Sequence, residues 1–102
     1  MNLKEDKEQV INMLTSEDKE IRSLAVNSIR NNYDTDFKYT YSYSVNDSTR
    51  LKIPKKNDEN YFEMNIFLEC ITYRIPRKKT IREMLDLIIE YNELKKKTRI
   101  KY

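Results

Sequence analysis

Few residues in this chain are suited to catalysis or ligand binding. Cys70 is the only cysteine, and the 102 residues include no histidine and no glycine. A single cysteine gives neither an intrachain disulfide nor a thiolate zinc site, and a chain without glycine has no glycine-rich phosphate loop. Because Cys70 lies within an apolar sector, we expect it to be a small core residue and not a nucleophile.

Two carboxylates come closest to a catalytic pair. Asp86 and Glu90 are one helical turn apart, whereas catalysis by paired carboxylates needs two acids held in a cleft. Both lie on the polar strip of a helix, where pairs four residues apart account for them, such as Arg82 with Asp86 and Glu93 with Lys97. We therefore predict that the chain is not an enzyme and has no catalytic, cofactor-binding or metal site.

Basic residues form two groups at the ends of the last predicted helix. The groups lie about 20 to 25 Å apart if that helix is straight, which suits phosphates of a nucleic acid or acidic patches of a protein. We favour the interpretation that both groups are ordinary solvated surface. Domains that bind phosphates usually carry more positive charge than the net +3 of this chain. The candidate phosphate-binding residues are Arg74, Arg77, Lys78, Lys79 and Arg82 in the first group and Lys95, Lys96, Lys97, Arg99 and Lys101 in the second.

A row of aromatic residues alternates with polar ones in "FKYTYSYSV", residues 37–45. This period of two predicts a strand with one aromatic face. Aromatic rings on a strand can stack on unpaired bases, but no RNP-like motif accompanies these. We therefore favour a half-buried strand face that packs on the helix beginning near Tyr61.

The elements that position these residues fit one domain over residues 1–102. Apolar residues make up 38% of the chain and charged residues 36%, so the core must be small and the surface densely charged. We predict an α+β fold, mainly helical. The expected segments are an N-terminal helical hairpin at 1–32, a two-stranded β-hairpin at 37–54, a core of two C-terminal helices at 61–96 and a basic tail at 97–102.

Two amphipathic helices separated by a short break open the chain. The break at Thr15 and Ser16 offers a hydroxyl that can cap the second helix. The buried positions predicted by helical spacing are Leu3, Val10, Ile11 and Leu14 in the first helix and Ile21, Leu24, Ala25 and Ile29 in the second.

The segment "VINMLTSEDKEIRSLAVNSI", about twenty residues, resembles the centre of a HEAT-type repeat: an apolar helix end, a Ser/Asp-rich turn, then a helix carrying Ile-Arg and a Leu-Ala-Val core. This resemblance implies a scaffold unit that binds other macromolecules and carries no catalysis. A solenoid needs about three stacked repeats, and only "KTIR" at 79–82 echoes "KEIR" at 19–22. We therefore expect one helical hairpin and no solenoid.

Residues 61–75 are ambiguous between helix and strand, because their alternation slips in phase near Phe67. We favour a helix, with a second apolar sector formed by Phe62, Ile66, Cys70 and Tyr73. Apolar sectors on two sides predict a central helix, sandwiched between the β-hairpin and the other helices.

The final helix is predicted to open at Thr80, which forms a capping box with Glu83. From Ile81 to Leu94 its apolar residues occupy more than half of the circumference, which exceeds what one core face needs. The candidate partner-binding residues are Leu87, Ile89, Tyr91 and Leu94.

Charge is unevenly distributed. Residues 1–36 hold 5 bases and 8 acids, a net charge of −3, and residues 74–102 hold 10 bases and 4 acids, a net charge of +6. We expect a non-enzymatic protein-interaction or assembly module that binds a protein partner or forms a homo-oligomer. The alternative is a nucleic-acid-binding accessory protein that uses the basic groups at 74–82 and 95–101.

The cellular setting follows from composition and from the N-terminal residues. Residues encoded by A/T-rich codons are abundant, which indicates an A/T-rich bacterium or a virus of one. A phage or virion accessory component is our hypothesis for such a setting. No signal peptide or membrane span is evident, and the single cysteine fits a reducing compartment, so we expect a cytoplasmic protein, or one in the virion, without a membrane partner.

Overall fold

The structure is a computed structural model that describes residues 1–43 and 49–100, without the side chains of residues 42, 43, 49 and 98–100. It is an α+β fold, mainly helical, as the sequence predicts. The helices are α1 (Lys7–Leu14), α2 (Lys19–Asn32), α3 (Met64–Tyr73) and α4 (Lys78–Ile100), and the strands are β1 (Lys38–Tyr43), β2 (Thr49–Lys52) and β3 (Phe62–Glu63).

The elements form a closed circuit around one core. Each packs on the next in the order α3, α2, α1, α4, β2, β1, β3, and β3 leads directly into α3. The molecule is flattened, with extents of 40 × 36 × 22 Å. Its largest fully buried side chains are Leu3, Ile11, Leu14, Ile29, Met64, Leu68, Ile71, Ile81, Met84, Leu85, Leu87 and Ile88.

The sheet has three antiparallel strands where the sequence predicts two. Its order is β2-β1-β3, with Tyr41 of β1 opposite Leu51 of β2 and Tyr39 of β1 opposite Phe62 of β3. A strand of two residues is too short to show alternation, which is why β3 escapes prediction. The predicted turn at 46–48 lies outside the described residues.

The turn between α1 and α2 confirms the helical hairpin but not its predicted cap. Asp18, and neither Thr15 nor Ser16, caps α2, since its carboxylate accepts a 2.9 Å hydrogen bond from the Glu20 amide. The Thr15 hydroxyl instead donates to the Ile11 carbonyl at the end of α1.

The last helix is longer than predicted at both ends. It begins at Lys78, so Thr80 lies inside its first turn and the predicted capping box is wrong. It continues to Ile100, so residues 97–100 of the predicted basic tail are helical. Basic side chains near a helix C-terminus interact favourably with its dipole, which is consistent with this extension.

Ion pairs cross between elements instead of following the predicted spacing within α4. Arg82 binds Glu8 and not Asp86, and Lys4 binds Glu93 in place of Lys97. The remaining pairs are Lys7 with Asp86 and Lys95 with Asp34. Contact between α1 and α4 brings Arg82 to Glu8 and Lys7 to Asp86.

Within residues 1–43 and 49–100, no helix combines the length and the apolar character needed to span a lipid bilayer.

Candidate docking face

The apolar arc of α4 is mostly covered by the chain itself. Leu87 is fully buried, and Ile89 and Tyr91 are half-buried against the core. The Tyr91 ring stacks on Phe37 with the ring centroids 4.2 Å apart. Only Leu94 of the four candidate partner-binding residues is exposed, at 45%. The expectation that this helix has more apolar surface than the domain can cover is therefore wrong for Leu87 and weakened for Ile89 and Tyr91.

A larger exposed apolar surface lies on α3. Seven of its ten residues are apolar, and Met64, Leu68 and Ile71 bury one side in the core. Ile66 and Tyr73 are 55% and 71% exposed on the other side. The predicted sandwich around this helix is therefore wrong. β1 contacts α3 through Tyr39 and Phe67, and the side of α3 that carries Ile66 and Tyr73 stays open.

Cys70 belongs to this outer side and is exposed, which corrects the expectation of a core residue. With Ile66 and Tyr73 it follows the spacing i, i+4, i+7 of one helical face. Phe62, just before the helix, is half exposed and extends the surface to Tyr41, whose ring centroid lies 5.3 Å away. We call Phe62, Ile66, Cys70 and Tyr73 the α3 face; Glu69 is the acidic residue on the same side of the helix.

A groove of about 310 Å³ adjoins the C-terminal end of the α3 face. It runs along the turn between α3 and α4, and Ile75 and Pro76 give it an apolar wall. Cys70 belongs to both the groove and the α3 face, so the two form one continuous surface. The lining includes Phe67, Cys70, Arg74, Ile75, Pro76 and Arg77.

Arg74 and Arg77 line this groove, and Lys78 and Lys79 follow them at the start of α4. Arg74, Arg77, Lys78 and Lys79 are all exposed, and none of them forms a salt bridge with a side chain that the structure describes. We call these four residues the basic rim. Arg82, the fifth member of the predicted first group, is bound to Glu8, which lowers the Glu8 pKa and raises the Arg82 pKa through their hydrogen bond.

The second predicted basic group is less available. Lys95 binds Asp34, whereas Lys96 and Lys97 are exposed. The side chains of Arg99 and Lys101 lie outside the part of the chain that the structure describes. The basic rim is therefore the stronger candidate for contact with a charged partner.

The aromatic row of β1 is mainly structural. Phe37 and Tyr39 are buried, and Tyr39 contacts Phe67 of α3 with the ring centroids 5.9 Å apart, which confirms packing of this strand on α3. Burial raises the pKa of the Tyr39 phenol. Tyr41 is partly exposed, and the side chains of Tyr43 and Val45 lie outside the described residues.

Arg22 positions α3 and was not predicted from the sequence. It is 5% exposed, and its guanidinium donates to four backbone carbonyls: Ile71 (2.9 Å), Thr72 (3.3 Å), Ser16 (2.8 Å) and Glu17 (3.0 Å). The first two belong to the last turn of α3, whose carbonyls lack helical partners. The buried stripe of α2 is thus Arg22, Ala25, Val26 and Ile29, and the predicted Ile21 and Leu24 are exposed.

The described residues bring no catalytic pair together. Asp86 is engaged with Lys7 on the surface, and Glu90 is exposed on the same helix. No cluster of cysteine, aspartate or glutamate within the described part of the chain could hold a metal ion. Compared with known proteins, the chain matches no family model, no curated protein and no solved structure.

Proposed function

We propose that this chain is a non-enzymatic protein-interaction module whose docking surface is the α3 face. The observation that supports the proposal is the exposure of Ile66 and Tyr73 on a helix whose opposite side is already in the core. A helix that is apolar on all sides is normally buried on all sides. A contiguous exposed apolar surface with polar borders is typical of an interaction site.

The basic rim selects the chemistry of the partner. A docking segment that places apolar side chains on Ile66 and Tyr73 brings its flanking residues next to Arg74 and Arg77. Acidic residues at those flanks would complement the rim, whereas basic ones would be repelled. An acidic amphipathic helix laid along the α3 face meets both requirements. The phage or virion setting is supported by composition alone and adds nothing to this choice.

Fluorescence anisotropy with a labelled acidic amphipathic peptide tests the proposal. Binding should weaken about tenfold or more in Ile66→Glu, because a charge would then lie at the centre of the apolar contact. Ile66 is exposed, so we expect this variant to keep its fold. A peptide of the same composition in scrambled order, which has the charge but no apolar face, should bind poorly.

The control variant is Leu94→Glu, which places the same charge on an exposed leucine of α4. We expect it to bind the peptide like the unmodified chain. If Leu94→Glu and Ile66→Glu weaken peptide binding equally, the docking surface includes α4 and is not confined to the α3 face. Equal binding of the scrambled peptide would reduce the interaction to charge and contradict an apolar docking face.

Nucleic-acid binding is the competing function, and the four exposed residues of the basic rim are the observation that favours it. A labelled duplex and a labelled single strand, titrated at two salt concentrations, measure it directly. Tight, salt-dependent binding that Ile66→Glu leaves unchanged would replace the present proposal. Absence of binding at low salt would dismiss the nucleic-acid alternative.

A further inference from the structure

A second exposed apolar surface lies on α2. Ile21 and Leu24 are 37% and 64% exposed and one helical turn apart. Glu17, Asp18 and Glu20, all exposed, stand beside them at the N-terminal end of the helix, and none forms a salt bridge with a side chain that the structure describes. We call these five residues the α2 face. It pairs apolar side chains with acidic ones, as the proposed partner of the α3 face should.

We propose that the occupant of the α3 face is the α2 face of a second copy of this chain. The proposal rests on the function proposed above and names its partner. Ile21 and Leu24 of one copy pack on Ile66 and Tyr73 of the other, and the acids of the α2 face meet the basic rim. The chain thereby assembles with itself.

The two faces match in the direction of their charge. Glu17 lies just before α2, which begins at Lys19. Ile21 and Leu24 are about 5 Å apart along α2, and fit within the roughly 10 Å of α3 from Ile66 to Tyr73. The acids lie at the N-terminal end of the α2 face, and the basic rim follows the C-terminal end of α3. Charge complementarity therefore selects one orientation, in which the docked helices run antiparallel.

Within a single copy, α2 packs on α3 through a different side of α2. α2 and α3 already run antiparallel inside the fold, since Arg22 reaches Ile71 near the end of α3 and Arg30 donates to the Asn65 carbonyl near its beginning. The side of α2 that makes these contacts differs from the side that carries Leu24. Lys19 of α2 also lies over the Tyr73 ring of the same copy, with its ammonium 4.8 Å from the ring centroid. The intramolecular contact therefore covers part of Tyr73 and leaves Ile21 and Leu24 open to a second copy.

Paired charge reversals test the contact. One variant carries Glu17→Lys and Glu20→Lys, and another carries Arg74→Glu and Arg77→Glu; Asp18 is kept because it caps α2. Light scattering should show that the average mass of the unmodified chain increases above the monomer mass of 12.5 kDa as its concentration approaches about 1 mM. Dissociation constants near this concentration are typical of weak interfaces. Each variant alone should self-associate about tenfold more weakly or worse, because like charges then face each other.

Mixing the two variants is the decisive measurement. The variant with Arg74→Glu and Arg77→Glu keeps its acidic α2 face, which can bind the unchanged basic rim of the other variant. The two reversed faces, lysines on α2 and glutamates at the rim, are also complementary. Association should therefore return in the mixture. The matched control is Lys96→Glu with Lys97→Glu, which reverses two exposed bases at the far end of α4 and should associate normally.

Two results would overturn the proposal. An unmodified chain that stays at 12.5 kDa up to about 1 mM has no second copy on its α3 face. Self-association that the mixture does not restore would mean that the faces do not pair with each other. If the chain fails one of these tests but still binds the acidic peptide, the proposed function stands and only the second copy is excluded as partner. If it neither self-associates nor binds the peptide, the proposed function is excluded as well.

Discussion

Replacing Arg22 tests whether one buried guanidinium holds α3 in place. Arg22→Met keeps much of the side-chain length but removes all five N–H donors. Four carbonyls then lose their partner, and the Ile71 carbonyl is the one whose bond to Arg22 is buried. Those of Ser16, Glu17 and Thr72 are only partly buried and can turn to water.

The expected loss follows from these contacts. A hydrogen bond from a charged donor contributes about 1.5 to 3 kcal/mol, and a buried acceptor left without a partner costs about 1 to 3 kcal/mol. Relief of the cost of burying a charge offsets part of this loss. We take the full contribution of the buried hydrogen bond to Ile71 and a small contribution from each of the three partly buried ones. On this basis we expect Arg22→Met to lower the free energy of unfolding by about 2 to 4 kcal/mol.

Urea denaturation followed by circular dichroism measures the change. The midpoint should fall while the slope stays constant, because the surface exposed on unfolding is nearly unchanged. The matched control is Arg30→Met: Arg30 also lies on α2 and donates to α3, but through one exposed bond to the Asn65 carbonyl. We expect it to cost about 0.5 kcal/mol or less. A loss below about 1 kcal/mol in Arg22→Met, or equal losses in both variants, would refute the role assigned to Arg22.

Two further predictions concern surface groups. Hydrogen bonds from Arg82 and Lys4 lower the pKa of Glu8 and Glu93, respectively, below their usual value of 4.5. The two ion pairs therefore contribute fully to stability above pH 4.5, and this contribution is lost as the pH falls through the lowered pKa values. Urea midpoints should therefore drop less between pH 6 and pH 3 in Glu8→Gln with Glu93→Gln than in the unmodified chain, and an identical drop would contradict the ion-pair assignment. Cys70 should react with a thiol reagent in the native state nearly as fast as in urea; strong native protection at low concentration would show that the α3 face is covered within one copy.

The sequence predicts the fold class and most helices because their apolar spacing is regular. Ile81, Met84, Leu85 and Ile88 repeat at helical spacing and all enter the core, so the last helix is evident from its own residues. The break before α2 carries Ser and Asp at cap positions, and a cap is found there, although Asp18 supplies it. Such signals are local, and local signals can be read from a single sequence.

Errors occur where distant contacts decide the outcome. Leu24 has the spacing of a buried residue, yet Arg22 takes the buried position, because carbonyls about fifty residues further along the chain satisfy its donors. No local pattern reveals those acceptors. The predicted ion pair of Arg82 with Asp86 fails for the same reason, because α1 supplies Glu8 and Lys7 as nearer partners. The sequence does predict the apolar character of the α3 face. The prediction that the rest of the chain covers this face is the one that is wrong.

The apolar character of the α3 face is not forced by composition. More than a third of the chain is charged, and the exposed side of α4 is covered with such residues, among them Arg82, Asp86 and Glu90. In contrast, Glu69 is the only charged residue of α3. None of the residues on the α3 face supplies a fully buried side chain, so a partner could cover that face without disturbing the core. The contacts that hold α3 in the fold and the side chains that it leaves exposed lie on different sides of one helix, so substitutions at Ile66 and at Arg22 should change association and stability independently.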